Sequence, residues 1–185
     1  MIIQVSSANS AYAVSGLSVA SEKTLYNLAI LRQVMPDDCS VDNRIDLQQQ
    51  KRDIIENFIK ERLADADAKL DLRETELNEL DLTEANLRSA NLERAKFKQA
   101  NLARACLSCA NIQIANLQDA TLKYARLASA NLDYANFTNV KLSMATLSYA
   151  KLYRTKLINA DLSYANLNQT EMSSAELNNA NFEPC

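Results

Sequence analysis

From Leu72 onward a large apolar residue occupies every fifth position without a break. The series runs Leu72, Leu77, Leu82, Leu87, Leu92, Phe97, Leu102, Leu107, Ile112, Leu117, Leu122 and Leu127. It continues through Leu132, Phe137, Leu142, Leu147, Leu152, Leu157, Leu162, Leu167, Met172, Leu177 and Phe182. Of these 23 positions, 18 are Leu, three Phe, one Ile and one Met. The residue two before each is Ala in 17 of the 23 cases, the exceptions being Leu70, Thr75, Leu80, Val140, Thr155 and Thr170. Between them often stands Asn or Asp, as in Ala90-Asn91-Leu92 and Ala160-Asp161-Leu162. A register held this long specifies one repeating backbone unit.

A helix does not fit. Five residues advance an α-helix by about 500°, so successive leucines would spiral round every side and bury none. In an extended segment, residues two apart point the same way, so the small residue and the leucine both face inward and the Asn-type residue faces out. The remaining two residues of each five must then turn a corner. Four right-angled corners close a square of 20 residues, and stacked squares share parallel backbone hydrogen bonds at roughly 4.8 Å per rung. The repeats make about 5.75 rungs and a rod roughly 28 Å long at that spacing. Leucines fill the centre of the tube and alanines let the corners approach closely. Leu72, Leu92, Phe97, Leu117, Phe137 and Leu157 are core positions, and Phe182 is expected to plug the last rung, with Pro184 unable to donate to a further ladder.

The run A-[DN]-L-x-x over about residues 70 to 183 resembles the pentapeptide repeat family, and the chain looks most like its cyanobacterial members with a helical N-terminal segment. The resemblance implies an all-β solenoid, a right-handed quadrilateral parallel β-helix. It also implies a structural or protein-interaction role. Some relatives imitate a DNA duplex and bind DNA gyrase, inhibiting it or protecting it from quinolones. That branch resembles an acidic dimer with an added C-terminal element. Residues 70–185 here hold 12 Lys and Arg against 13 Asp and Glu, a net of −1, and end Asn181-Phe182-Glu183-Pro184-Cys185. Gyrase mimicry is therefore the alternative, not the first expectation.

Before the repeats the pattern changes. Residues 1–20 read as a loosely packed N-terminus. Residues 21–66 read as a helical cap or small domain, and 67–185 as the β-helix. Ser21 suits a helix N-cap for 21–35, with Leu25, Leu28, Ala29 and Leu31 on one side and Met35-Pro36 as the stop. A second helix runs from about 42 to 64, where Ile54, Ile55, Phe58, Ile59 and Leu63 keep helical spacing opposite Lys51, Arg52, Glu56, Lys60 and Arg62. These helices are expected to cap the first rung, whose Leu70 and Leu80 replace Ala; a separate partner-binding unit is the alternative.

Composition narrows the chemistry. There is one Gly and no His. That excludes glycine-rich phosphate loops, imidazole bases and His-ligated zinc. A filled tube has no cleft for carboxylate chemistry, so no enzyme activity, no cofactor and no metal is expected. Cys106-x-x-Cys109 lies on outward positions, and Cys106 and Cys185 are about 19 Å apart along the rod, beyond the ~7 Å a disulfide tolerates. Free thiols are expected. The alternatives are a bridge from Cys39 to Cys106 or Cys109 and, more remotely, a metal set. With a net charge of −3 there is no strong field for nucleic acid or anionic membrane, and no apolar run approaches the ~20 residues of a membrane span. The N-terminus lacks the basic start and continuous apolar run of a signal peptide. A cytoplasmic location is favoured over thylakoid lumen or periplasm, as is a monomer or weak dimer.

Function must then lie outside the tube. Stacking every 20 residues aligns Arg94, Ile114, Tyr134 and Arg154 beside Tyr153, and on the opposite side Arg104, Tyr124, Met144 and Tyr164. Tyr, Met and Arg are enriched at interfaces, so these nine are the candidate partner-binding residues, toward a protein not yet identified. Charge is banded: residues 71–84 are acidic, 88–104 basic, and a second basic band holds Lys141, Lys151, Arg154 and Lys156. Such bands are ordinarily solvated faces. The outward asparagines Asn86, Asn91, Asn101, Asn111, Asn116, Asn131, Asn136, Asn166 and Asn181 are expected to ease the backbone near corners and to form ladders. Leu117→Asp is expected to abolish cooperative unfolding monitored by circular dichroism, because the tube offers no polar partner. A folded Leu117→Asp protein would contradict the filled tube.

Overall fold

Each five-residue unit lays down one short side of a square and one corner. The computed structural model describes residues 70–183. The segments 1–20 and 21–66, their expected helices and Cys39 lie outside the described residues. Among the described residues, 19 parallel bridges join a residue to the one 20 positions later, from Asp71↔Asn91 to Asp161↔Asn181. The side is too short for a conventional strand; one residue per side is bridged to the rungs above and below. The result is a four-cornered parallel coil with 20 residues per turn.

The backbone accounts for the five-residue unit almost completely. In the unit Ala115 to Asp119, the Asn116 N–H donates to the Ala95 carbonyl one rung earlier at 3.0 Å. Leu117 and Asp119 N–H groups donate forward to the carbonyls of Asn136 at 2.8 Å and Thr138 at 3.0 Å. The Ala120 N–H closes the corner onto the Leu117 carbonyl at 3.0 Å. Only the first corner residue, Gln118, lacks a backbone partner for its N–H, and the Asn116 Oδ1 accepts it at 3.1 Å. All nine expected asparagines make this bond two residues ahead, at 3.1–3.4 Å. Asp71, Asp81 and Asp161 do the same. This corrects the expected corner role of Asn. The residues sit on the sides, and where Asn or Asp stands there its oxygen satisfies the one orphan donor of the unit. Ladders also form, as from Asn111 Nδ2 to Asn91 Oδ1 at 3.1 Å and from Asn136 Nδ2 to Asn116 Oδ1 at 3.2 Å.

The second corner residue carries the strain. At all 22 such positions from Glu74 to Asn179, φ lies between 53° and 61°. A positive φ at the third residue of a turn closed in this way is the type II signature, ordinarily met by Gly. Here the position holds Ile114, four Tyr and Met144 among others, and a β-branched residue in this region is unusual. The cost is about 1–2 kcal/mol per residue. It is offset collectively by the ladder and the core.

The expected core residues Leu72, Leu92, Phe97, Leu117, Phe137 and Leu157 are buried, as are Leu70 and Leu80. Thr155 replaces an inward Ala without stranding its hydroxyl, which donates to the Leu132 carbonyl at 2.8 Å. Phe182 departs from expectation: it is 40% exposed, and Leu177 38%. Inward side chains are covered by the rung on either side, and the last described rung has a described neighbour on one side only. At an ordinary extended position Ala is more stable than Gly by about 0.5–1 kcal/mol. At position 114 the order is expected to reverse, with Ile114→Gly more stable than Ile114→Ala in urea unfolding by about 1 kcal/mol. The ordinary order at this site would refute corner strain.

Candidate interaction surface

The 20-residue register sends residues at the second corner position outward in columns. Arg94, Ile114, Tyr134 and Arg154 occupy one corner on successive rungs, and all four have positive φ. Arg104, Tyr124, Met144 and Tyr164 do so at a second corner, ten residues on and hence diagonally across the square. Tyr153 is the other residue of Arg154's turn. Its N–H is held by the Asp133 Oδ1 of the preceding rung at 2.9 Å.

The structure brings three of the first group together. Tyr134 and Tyr153 meet edge to face, ring centroids 5.4 Å apart and planes at 88°. The Arg154 guanidinium lies 5.2 Å from the centroid of Tyr153. All the large apolar candidates are exposed, with Ile114 at 48% and Tyr134 at 49%. In the second column the Arg104 guanidinium lies 5.9 Å from the Tyr124 ring. Met144 and Tyr164 are exposed above them. Tyr149 was not anticipated, yet it is 60% exposed, more than any other large apolar side chain among the described residues. Its column reads Ser89, Cys109, Ser129, Tyr149 and Gln169. Position alone, not a run of similar neighbours, was its signal.

The charge bands resolve into rung-on-rung pairs. Glu74 meets Arg94 at 3.4 Å, Glu76 meets Lys96 at 2.7 Å, and Glu84 meets Arg104 at 3.4 Å. Each pair joins residues 20 apart, the acidic first rung neutralising the basic second. They are exposed, so each contributes at most about 1 kcal/mol. In the second basic band the backbone bridges set Lys141, Lys151 and Lys156 one rung from Asp161, Glu171 and Glu176, with no ion pair between them among the described residues. Burial pushes the Asp161 carboxyl up, but hydrogen bonds from Ser163 and Asn181 and the charge of Lys123 outweigh it and hold the group below its ordinary value.

The cysteines lie differently from expectation. Cys109 is exposed but Cys106 is buried, because its short side chain sits between the longer Asn86 and Arg126 bridged above and below it. Both are free thiols in the structure, and the alternative bridge involves Cys39, which lies outside the described residues. No cluster of metal-ligating side chains occurs among the described residues, and no helix among them is long and apolar enough to cross a membrane.

Comparison with known proteins bears on the whole coil. No curated protein sequence matches the chain. Among solved structures it is similar to HetL, a pentapeptide repeat protein involved in heterocyst differentiation regulation from the cyanobacterium Nostoc sp. strain PCC 7120. That match has 28% identity, covers 62% of this chain and 58% of that one, and has a TM-score of 0.30. It is also similar to the pentapeptide repeat protein Rfr23 from the cyanobacterium Cyanothece 51142, at 24% identity over 62% and 88% of the chains with a TM-score of 0.35. The plasmid-mediated fluoroquinolone resistance protein QnrB1 matches at 16% identity over 61% and 82%, with a TM-score of 0.28. The family model for pentapeptide repeats matches residues 70–104, 81–113, 110–148 and 150–183. The family implies the right-handed quadrilateral β-helix. With its repeats matched over most of its length, the chain belongs to the pentapeptide repeat family.

Proposed function

We propose that this protein is a non-enzymatic interaction module that presents the corner columns of its rod to a protein partner. The observation supporting this reading is the Tyr134–Tyr153–Arg154 cluster, two rings at 5.4 Å and a guanidinium at 5.2 Å, held outward by strained corners. Rigid aromatic side chains beside arginine offer large contact area at little cost in conformational entropy. The packed tube directs chemistry to the surface, where carboxylates and lysines stand in ladders and ion pairs rather than in a cleft. Duplex mimicry toward gyrase is disfavoured by the same pairing, since the acids of residues 74–84 that would stand for phosphates are offset by Arg94, Lys96 and Arg104 one rung away.

Immobilised full-length protein, compared by quantitative mass spectrometry with Tyr134→Ala/Tyr153→Ala and with Tyr149→Ala, tests the reading. One protein captured by the parent is expected to fall at least about tenfold with the double variant, the loss of one or two interface anchors, and to persist with Tyr149→Ala. Equal capture by all three would refute the cluster's role. Inhibition of gyrase supercoiling by the parent would favour mimicry instead.

A further inference from the structure

One side of the square carries a feature unrelated to the aromatic cluster. It is built from residues 85–88, 105–108, 125–128, 145–148 and 165–168, which include no Asp or Glu. On its first three rungs lies a depression of about 290 Å³ lined by Glu84, Asn86, Arg88, Cys106, Ser108 and Arg126. The depression arises from side-chain length. Cys106 and Ser108 form the middle row, the Cys106 Sγ 4.0 Å from the Ser108 Oγ, while long arginines stand on the rungs before and after. Cys106, 9% exposed, is the floor.

The polar groups around it are unbalanced. On the first two rungs Arg94, Lys96 and Arg104 meet carboxylates 20 residues away, yet among the described residues neither Arg88 nor Arg126 is ion-paired. The register explains this: positions 20 from Arg88 and Arg126 are Ser108, Cys106 and Thr146. The Asn86 Oδ1 is occupied by the Arg88 N–H at 3.3 Å, which turns the amide's donor end to solvent. Glu84, the one carboxylate on the rim, is taken by Arg104 at 3.4 Å. What remains around the floor is two guanidiniums, an amide N–H and a hydroxyl, with the nearest acid neutralised.

We propose that this groove binds an extended acidic segment of a partner protein, with Arg88 and Arg126 each holding a carboxylate. The two arginines are two rungs apart, about 10 Å along the axis, close to one three-residue turn of a polyproline II helix. The expected occupant is therefore a polyproline II segment lying along the rod with glutamates or aspartates three positions apart, which that helix places on one face. A guanidinium holding a carboxylate is among the stronger polar contacts, and a shallow site needs two of them to register. This site deepens the interaction-module reading by naming a partner's chemistry, but it lies on another side of the rod from Tyr134 and Tyr153 and is tested separately.

The probe is a fluorescein-labelled extended hexapeptide with glutamates three positions apart, and its glutamine twin, titrated against the full-length protein by anisotropy at low salt. Saturable binding of the glutamate peptide is expected, with the twin and the Arg88→Gln/Arg126→Gln protein each at least about tenfold weaker, since either change removes both carboxylate–guanidinium contacts. Tyr134→Ala/Tyr153→Ala should bind the peptide as the parent does, so failure here and failure of the aromatic cluster are distinguishable. Both arginines are exposed, and unchanged circular dichroism establishes that the variant is folded. Absence of saturable binding, equal binding by the double arginine variant, or loss on Lys151→Gln/Lys156→Gln instead would overturn the assignment.

Discussion

In each interior five-residue unit, four backbone N–H groups are taken by backbone carbonyls, and in the units that carry Asn or Asp the fifth is taken by the Asx oxygen. The rest of the structure depends on that repeated backbone pattern. The forward and backward bonds lock each rung to the next at 20 residues, and the corner bond fixes a positive φ at one residue of each unit. With four of five backbone donors in each interior unit bonded to the backbone, the chain can tolerate costly corners at residues as unsuitable as Ile114 and Tyr124. The register, once set, decides which side chains are enclosed and which are displayed.

That division separates stability from function. The inward Leu and Ala need only be apolar and of suitable size, and one rung resembles the next. The outward positions are free of the core's demands and vary accordingly, from Glu74 through Ile114 to Arg154 in a single column. Strain at the display positions keeps their backbone in one conformation. A side chain presented there starts from a fixed direction, which lowers the ordering cost of binding. The ion pairs between the first and second rungs serve the opposite end, removing charge from the surface and leaving the unpaired arginines of one side more conspicuous.

Much of this was legible in the sequence because the fold is one unit repeated. The period of five ruled out a helix, the Ala-x-Leu spacing placed the core, and multiples of 20 aligned Tyr134 with Arg154 and Arg104 with Tyr124. What escaped reading was local and three-dimensional. Non-Gly residues at positive φ could not be recognised from identity, since Glu, Tyr, Met and Ile share the position. The outward placing and laddering of the asparagines were legible, but their service to the corner was not: the side-chain oxygen accepts from the N–H two residues ahead. Cys106 occupies an outward position and is nonetheless covered, because exposure of a short side chain is set by its neighbours' length. Phe182 follows the inward pattern but lacks a covering rung among the described residues. The charge bands were legible, but not that Arg94, Lys96 and Arg104 each meet a glutamate one rung away.

The central claim is that the 20-residue register positions every side chain, inside and out. Scalar coupling across hydrogen bonds, read in a long-range HNCO experiment on labelled protein, reports that register directly. The account predicts coupling from the Leu117 amide nitrogen to the Asn136 carbonyl carbon and from the Asn116 nitrogen to Ala95, matching the bonds at 2.8 Å and 3.0 Å. Coupling of either nitrogen to a carbonyl at any other separation, with the protein folded, would contradict it.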